Sequence, residues 1–196
     1  MNLAVAFSGW ASVSSALTDS AAAYSSLKGI KFLSIGGGNG NGRFTAAVLT
    51  ALDAAVSSGQ LSGYDGVCYD IEEGDANLGA AFASSFANAK ANKLKVLITI
   101  SHSAPYGITD KVALMNGFFS DSNIDILSPQ LYTGGTESAN DYTSVGMPWS
   151  SYAAAKAAVV PTIVSASYYS DAQNYFSTFS RSGTSFNTKG FIQWKQ

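Results

Sequence analysis

Two carboxylates separated by one residue are the side chains of this chain that are best suited to catalysis. Asp70 and Glu72 lie in the segment 65–72, which reads DGVCYDIE. If this segment is a strand, Cys68, Asp70 and Glu72 share one face, because strand side chains alternate between faces. Like charges that close do not easily both ionise, so the pair is typical of proton-transfer chemistry. We predict Glu72 as a general acid tuned by Asp70; two solvated acids at a strand end are the alternative.

Two further segments alternate in the same way. Ser128, Gln130 and Tyr132 would share one face of a strand, which favours a ligand-facing surface over a dry core. The alternative is that the tyrosine and the glutamine form their hydrogen bonds with backbone groups and bind no ligand. In the segment 190–194, Trp194 would stand at the end of a strand, where a tryptophan is a good platform for a sugar ring. Burial of that ring in the core is the alternative.

The remaining reactive side chains give weaker signals. His102 and Tyr106 lie in the segment 101–106, which is a candidate cleft lining, although an ordinary hydrogen-bonded histidine is the simpler interpretation. Cys68 has no base beside it in its motif, so we predict a buried, small apolar residue. The chain contains one cysteine and one histidine. We therefore expect no internal disulfide and no metal site built from cysteines or histidines.

Composition narrows the class of protein. The chain has 196 residues, of which 46% are apolar and 12% charged, and its formal net charge is −2. This length predicts one domain, residues 1–196, with a core of useful size. Because no basic run and no apolar run of membrane-spanning length is present, we expect neither a nucleic-acid partner nor membrane insertion. No signal peptide is visible, so we expect either a cytoplasmic product or a mature secreted form.

Short apolar segments alternate with alanine-rich helical segments along the whole chain. This alternation predicts an α/β fold with a parallel sheet and right-handed crossovers. The candidate strands lie near residues 3–7, 31–35, 66–72, 94–101, 124–132, 158–165 and 190–194. The candidate helices lie near residues 13–27, 44–57, 77–91, 110–119, 150–157 and 170–180.

Such a sheet either stays open and doubly wound or curls into a (β/α) barrel of the TIM type. The first strand lacks the G-x-G-x-x-G turn of the nucleotide-binding open sheet, and the glycine cluster 36–42 lacks a Walker lysine. We therefore favour the barrel. An eight-stranded barrel usually needs about 250 residues, so we expect a compact one with only seven recognisable strands.

In combination, these segments resemble the family 18 glycoside hydrolases, especially the compact plant and fungal type of chitinase. The family signature D-G-x-D-x-D-x-E matches residues 65–72 except at Cys68, and its S-x-G-G motif looks like residues 34–37. The family's glutamine and tyrosine pair looks like Gln130 and Tyr132, and its closing strand looks like residues 190–194. The matches follow the family's order along the chain.

The resemblance implies a barrel that cleaves β-1,4-linked N-acetylglucosamine polymers by the substrate-assisted, retaining mechanism. Glu72 would protonate the leaving oxygen, and Asp70 would orient the acetamido group of the sugar. Tyr132 would hydrogen-bond that group, Gln130 would line the subsite and Trp194 would form its floor. The other residues assigned to substrate binding are Gly36, Gly37 and Tyr106. The resemblance implies no metal and no organic cofactor.

Two departures from the family keep an alternative function open. Cys68 replaces an aspartate that normally interacts with the position of Asp70, and the family's first strand has no clear counterpart here. A non-catalytic, chitinase-like lectin for N-acetylglucosamine glycans is therefore the second hypothesis, and an unrelated (β/α) enzyme or an inhibitor-like barrel is the third. The barrel would either close with seven strands or be completed by a partner chain, as in a homodimer.

Overall fold

The strands follow the predicted order along the chain. The computed structural model describes residues 2–181, 184–185 and 188–193. The strands are β1 (Leu3–Ala6), β2 (Ile30–Gly36), β3 (Gly66–Ile71), β4 (Lys95–Ser101), β5 (Ile126–Gln130), β6 (Ala158–Val159), β7 (Thr162–Ile163), β8 (Ser180–Arg181), β9 (Thr184–Ser185) and β10 (Ile192–Gln193). The helices are α1 (Val13–Tyr24), α2 (Ala46–Ser57), α3 (Gly79–Ala91), α4 (Lys111–Ser120) and α5 (Tyr169–Ser177), with 3-10 turns at Trp149–Ala154 and Ala166–Tyr168.

One parallel sheet carries the fold, in the order β1-β2-β3-β4-β5-β7-β10. Both β6 and β7 pair with β5, so they share one position in the sheet. Pro161 lies between them and has no amide hydrogen to donate, which accounts for the break. The sheet therefore has seven strand positions, and β8 and β9 form a separate antiparallel pair.

The sheet curls into a half-barrel with helices on its outer face. Within the described residues no ladder joins β1 to β10, so these two strands are the edges of the sheet. The predicted α/β class and parallel (β/α) barrel topology with seven recognisable strands are confirmed. The seven strands do not form a closed ring in this part of the chain.

Strand alternation separates two cores. On β3, Val67, Tyr69 and Ile71 belong to the large cluster that includes the helices. Cys68 belongs to a smaller cluster on the inner face of the sheet, and it has no exposed surface. The other buried members of the inner cluster are Phe32, Leu97, Ile126, Val160 and Ile192. The prediction that Cys68 is a buried apolar residue is confirmed.

Aromatic packing holds helices α3 and α4 against the sheet. Phe86 of α3 is fully buried, and its ring meets that of Tyr69 on β3 edge to face at 4.8 Å. The rings of Phe82 and Phe118 meet in the same way at 5.7 Å. Burying such a ring stabilises the fold by roughly 1.5–3 kcal/mol. This packing holds the outer face of β3, which carries Asp70 and directly precedes Glu72.

Candidate active site

The candidate residues gather at the carboxyl-terminal ends of the parallel strands. In the register of the sheet, Gly36 of β2 lies beside Asp70 of β3, and Asp70 lies beside Thr99 of β4. Gln130 closes β5 and lies beside Ser101. The carboxyl ends of the strands are where (β/α) barrels build their active sites. Side chains alternate between the two faces of each strand, so the polar residues at the strand ends lie on the same face and close together.

Three glycines at and directly after the end of β2 let the backbone pass close to the two acids. Gly36 has a φ of +104°, and a Cβ there would collide with the backbone oxygen of Asp70 and with the Phe44 ring. A Cβ on Gly37 would lie 3.6 Å from Asp70 Oδ2, and one on Gly38 would lie 2.8 Å from Glu72 Oε2. Side chains in this stretch would therefore fill the space beside both carboxyl groups.

Asp70 is buried, with 6% of its surface exposed. Gln130 Nε2 donates hydrogen bonds to Asp70 Oδ1 at 3.1 Å and to Thr99 Oγ1 at 3.2 Å. Burial and the neighbouring charge of Glu72 raise the pKa of Asp70 well above its ordinary value, while the hydrogen bond from Gln130 acts in the opposite direction. Asp70 is therefore a carboxyl group that binds its proton more tightly than a solvated one.

Glu72 directly follows β3 and is half-buried. Burial raises its pKa, the nearby Gln130 amide opposes that rise, and the nearby Glu73 adds to it. His102 acts in the lowering direction. A half-buried carboxyl group with a raised pKa keeps its proton to higher pH than a solvated one and stays partly accessible, and a general acid needs both properties.

Tyr132 lies close enough to both acids to feel their charges. Only 6% of its surface is exposed, and burial together with the charges of Asp70 and Glu72 raises its pKa. The phenol is thus held in its neutral, hydrogen-bond-donating form. The structure brings together Asp70, Glu72, Gln130 and Tyr132.

The predicted binding residues differ in how the structure positions them. Gly36 and Gly37 border Asp70, as described above. Tyr106 is 48% exposed, and its hydroxyl donates a 2.7 Å hydrogen bond to Glu73 Oε1. The same hydroxyl would lie 3.0 Å from a Cβ on Gly38, so the Tyr106 ring stands at the rim beside Glu72. Trp194 lies outside the described residues.

The sequence did not predict one pair of residues at this end of the sheet. His102 Nε2 lies 3.0 Å from Asp141 Oδ2, across 39 positions of sequence. His102 has a φ of +51°, a left-handed conformation that is uncommon for residues other than glycine and that concentrates at functional sites. The sequence singled out His102 but contained no signal for Asp141, because a loop contact over that distance has no periodic pattern.

The described residues contain no group of three or more histidine, cysteine, aspartate or glutamate side chains arranged to hold a metal ion. Within the same part of the chain, no helix is both long and apolar enough to cross a bilayer.

No protein-family profile and no curated protein sequence matches this chain. Among solved structures, a protein described as chitinase A from Streptomyces coelicolor matches with a TM-score of 0.54 and 16% identity, over 92% of this chain and 70% of that one. A chitinase from Chromobacterium violaceum matches with a TM-score of 0.47 and 14% identity, over 83% and 68%. The spore cortex-lytic enzyme SleL of Bacillus megaterium matches with a TM-score of 0.44 and 14% identity, over 68% and 35%.

At 16% identity, the likeness to the Streptomyces protein establishes the fold alone. The parallel half-barrel of this chain has the architecture of a chitinase-type (β/α) barrel.

Proposed function

We propose that this protein is a glycoside hydrolase that cleaves β-1,4-linked N-acetylglucosamine polymers, in the manner of the family 18 enzymes it resembles in sequence. One observation carries the proposal: Asp70 and Glu72 both have raised pKa values and lie close to Tyr132 and to the glycines at the end of β2. The two carboxyl groups can take different roles. The half-buried Glu72 can reach the glycosidic oxygen, while the buried Asp70 contacts the acetamido group of the sugar.

The reaction divides between Glu72 and the substrate's own acetamido group. Protonated Glu72 donates its proton to the glycosidic oxygen as the bond to the anomeric carbon breaks, and the leaving sugar departs as an alcohol. The acetamido oxygen bonds to the anomeric carbon and forms an oxazolinium ion. Glu72, now a carboxylate, accepts a proton from the water that opens this ring. The proton balance closes, and the anomeric configuration is retained.

Asp70 and Tyr132 act on the acetamido group in this scheme. The Asp70 carboxyl, held through one oxygen by Gln130, accepts the acetamido N–H and stabilises the positive charge of the oxazolinium ion. The neutral phenol of Tyr132 donates to the acetamido oxygen and aligns it with the anomeric carbon. Gln130, Gly36 and Gly37 line the subsite. Tyr106 at the rim adds an aromatic surface, and the resemblance assigns the floor of the subsite to Trp194.

The Glu72→Gln variant tests the proposal, with chito-oligosaccharides as substrate and chromatography of the products as readout. Loss of the transferable proton should lower turnover by about 10²–10⁴-fold. Asp75→Asn is the matched control, because Asp75 is an exposed acid three residues away that pairs with Arg43 at 2.9 Å. It should retain wild-type turnover. Absence of products from the wild type at high enzyme load, or a wild-type rate in Glu72→Gln, would refute the hydrolase.

A lectin on the same scaffold is the second candidate, and Cys68 is the observation that favours it. The thiol is fully buried, and burial and the neighbouring Asp70 raise its pKa. Unlike the aspartate that the family has at this position, the thiol cannot share a proton with Asp70 as a second carboxyl group would. A lectin would bind chito-oligosaccharides equally well in the wild type and in Glu72→Gln, as measured by isothermal calorimetry, and neither protein would release products.

A further inference from the structure

Glu73 and Tyr106 form a hydrogen-bonded pair at the rim of the candidate site. The Tyr106 hydroxyl donates to Glu73 Oε1 at 2.7 Å, across 33 positions of sequence. Glu73 directly follows Glu72, whereas Tyr106 lies on the loop after β4. The reaction scheme above uses neither Glu73 nor the Tyr106 hydroxyl. The pair thus lies next to the general acid without a part in that scheme.

Contacts with the backbone hold both side chains in place. The Gly107 N–H donates to the Glu72 carbonyl oxygen at 2.9 Å, and Gly107 forms a parallel bridge with Glu73. The Tyr106 N–H donates at 3.2 Å to Oγ of Ser101, which is buried at the end of β4. A Cβ on Gly107 would lie 2.6 Å from Glu73 Cγ, so this glycine leaves the space that the glutamate occupies. The loop after β4 is therefore fixed against the residues that follow β3.

The Tyr106 hydroxyl also lies close to the carboxyl group of Glu72. Both groups border the same side of Gly38, since a Cβ on this glycine would lie 2.8 Å from Glu72 Oε2 and 3.0 Å from the Tyr106 hydroxyl oxygen. Each distance is no longer than a hydrogen bond between oxygens, about 2.5–3.0 Å, so the two oxygens lie at most two hydrogen-bond lengths apart. The Tyr106 hydroxyl gives its hydrogen to Glu73 and not to Glu72. One ligand oxygen that bonds to both groups fits this separation.

The donors and acceptors here suit an O–H group as the ligand. A phenol has one hydrogen, and Tyr106 gives it to Glu73, so the Tyr106 oxygen can only accept a hydrogen bond from a ligand. Glu72 donates when it is protonated and accepts when it is a carboxylate. An O–H group can both donate and accept, so it satisfies both partners in either state of Glu72. Tyr106 and Gly38 are exposed, which leaves this position open to a ligand.

We propose that Glu73 is a positioning residue that holds the Tyr106 hydroxyl beside Glu72, and that Tyr106 and Glu72 together bind one O–H group. The inference rests on the proposed function, because the reaction it serves is the proposed hydrolysis. Two sources supply this chemistry: a hydroxyl group of the sugar chain and the water that opens the oxazolinium ring. When water is bound, one of its protons moves to the Glu72 carboxylate. Its oxygen bonds to the anomeric carbon as the bond to the acetamido oxygen breaks, and its second hydrogen stays bonded to Tyr106.

Glu73→Gln and Glu73→Ala separate the hydrogen bond from the charge. Both changes remove the charge beside Glu72, but glutamine keeps an oxygen that accepts from Tyr106. We expect Glu73→Ala to lower the affinity for N,N′-diacetylchitobiose, or kcat on chito-oligosaccharides, by about threefold to tenfold. Glu73→Gln should restore most of the loss. Isothermal calorimetry measures the affinity, and chromatography of the products measures kcat. Equal losses in the two variants would overturn the role of Glu73.

Tyr106→Phe tests whether Glu73 acts through the tyrosine. This change keeps the ring and removes the hydroxyl, so it should reproduce the loss seen in Glu73→Ala. In the Tyr106→Phe background, Glu73→Ala and Glu73→Gln should behave alike, because the hydroxyl that distinguishes them is gone. Tyr24→Phe is the matched control, since the Tyr24 hydroxyl donates to the Gly63 oxygen, which precedes β3. It should keep wild-type affinity and kcat.

The same measurements separate the two sources of the O–H group. A sugar hydroxyl predicts weaker binding of N,N′-diacetylchitobiose to Tyr106→Phe. Water predicts unchanged binding, a lower kcat and a larger share of longer oligosaccharides among the products, because the oxazolinium ion then reacts more often with a second sugar. Wild-type affinity, kcat and product pattern in Tyr106→Phe would overturn the proposal.

Failure of the hydrolase and failure of this inference give different results. If the wild type binds N,N′-diacetylchitobiose but releases no products from chito-oligosaccharides, the hydrolase proposal fails. The binding measurements on the Glu73 and Tyr106 variants then decide the role of the pair. A wild type that neither binds nor cleaves these sugars would overturn both proposals. A wild type that cleaves them at the same rate and with the same products as Tyr106→Phe, with equal affinity, would overturn only this one.

Discussion

At the scale of single residues, the burial of Asp70 makes the stability of the fold depend on pH. A carboxyl group whose pKa is higher in the folded than in the unfolded chain keeps a proton that the unfolded chain has already released. The folded state then loses stability as pH rises from the ordinary value of 3.8 toward the raised one. Below 3.8 both states are protonated and this loss disappears. The site therefore stabilises the protein least at neutral and alkaline pH.

The Asp70→Asn variant should consequently be more stable than the wild type at neutral pH. Asparagine keeps an oxygen for the Gln130 amide and removes the charge that burial disfavours. Because the raised pKa makes the charged form of Asp70 unfavourable in the folded chain, we expect a gain in the free energy of unfolding at pH of about 7 and almost none near pH of about 3. Urea unfolding at the two pH values measures it.

Two further measurements complete this prediction. Asp75→Asn, on the exposed surface, should show no comparable gain at neutral pH. Asp70→Asn should also lower chito-oligosaccharide turnover, because the amide cannot carry the charge that stabilises the oxazolinium ion. A variant that is less stable than the wild type at neutral pH would contradict the inference that the buried charge of Asp70 destabilises the fold.

At the scale of elements, the loop from β2 to α2 determines how closely the backbone approaches the two acids. Gly36 ends β2, and its N–H donates to the Trp10 oxygen at 2.9 Å. Its positive φ and the absence of a Cβ let the backbone approach Asp70 and Phe44. Thr45 then caps α2, with its hydroxyl accepting a hydrogen bond from Val48 N at 3.2 Å. The turn is thus fixed at both ends.

Gly36→Ala should therefore damage both stability and the site. The added methyl group meets backbone, which cannot move aside as a side chain would, so we expect a loss of at least about 2 kcal/mol in the free energy of unfolding. Gly40→Ala is the matched control in the same loop, because a Cβ there meets nothing within 4 Å. It should change stability by less than about 1 kcal/mol. Equal losses in the two variants would contradict this account.

At the scale of the whole molecule, apolar packing holds the fold together rather than ion pairs. Only 12% of the residues are charged. Within the described residues there are two ion pairs, Arg43 with Asp75 and Lys90 with Asp125, and a third contact, His102 with Asp141, that is ionic only when the imidazole is protonated. The first two are substantially exposed to solvent, where such pairs contribute about 0–1 kcal/mol each.

Stability should accordingly respond little to salt. Screening of exposed pairs between about 0.05 and 0.5 M NaCl should change the free energy of unfolding by less than about 1 kcal/mol. Urea unfolding at the two ionic strengths measures this change. A decrease of several kcal/mol at the higher salt concentration would contradict the assignment of stability to the apolar cores.

Two predictions about the whole molecule stay predictions. One is that residues 1–196 form a single domain, and the other is that a homodimer completes the barrel. The second has a structural counterpart, since β1 and β10 are edges of the described sheet and Leu3 and Val5 on β1 are only partly buried. Sedimentation equilibrium would distinguish a monomer from a dimer.

The sequence by itself determined the order of the elements and the faces of the strands. Alternation along β3 is a property of extended backbone, so the inward position of Cys68 and Asp70 and the outward position of Tyr69 could be read from spacing alone. The same reasoning aligned Ser128 with Gln130. Parallel strands also end at one edge, so the meeting of Asp70, Gln130 and Tyr132 followed from the predicted topology.

The tertiary structure alone decided how the loops meet. It paired His102 with Asp141, brought Tyr106 to Glu73, left Glu72 half-buried beside a buried Asp70, and left two edges on the sheet. These features depend on distances between segments that are far apart along the chain. Periodicity acts over a few residues, whereas loop contacts and burial follow from how the whole sheet curls and packs, which no local pattern encodes.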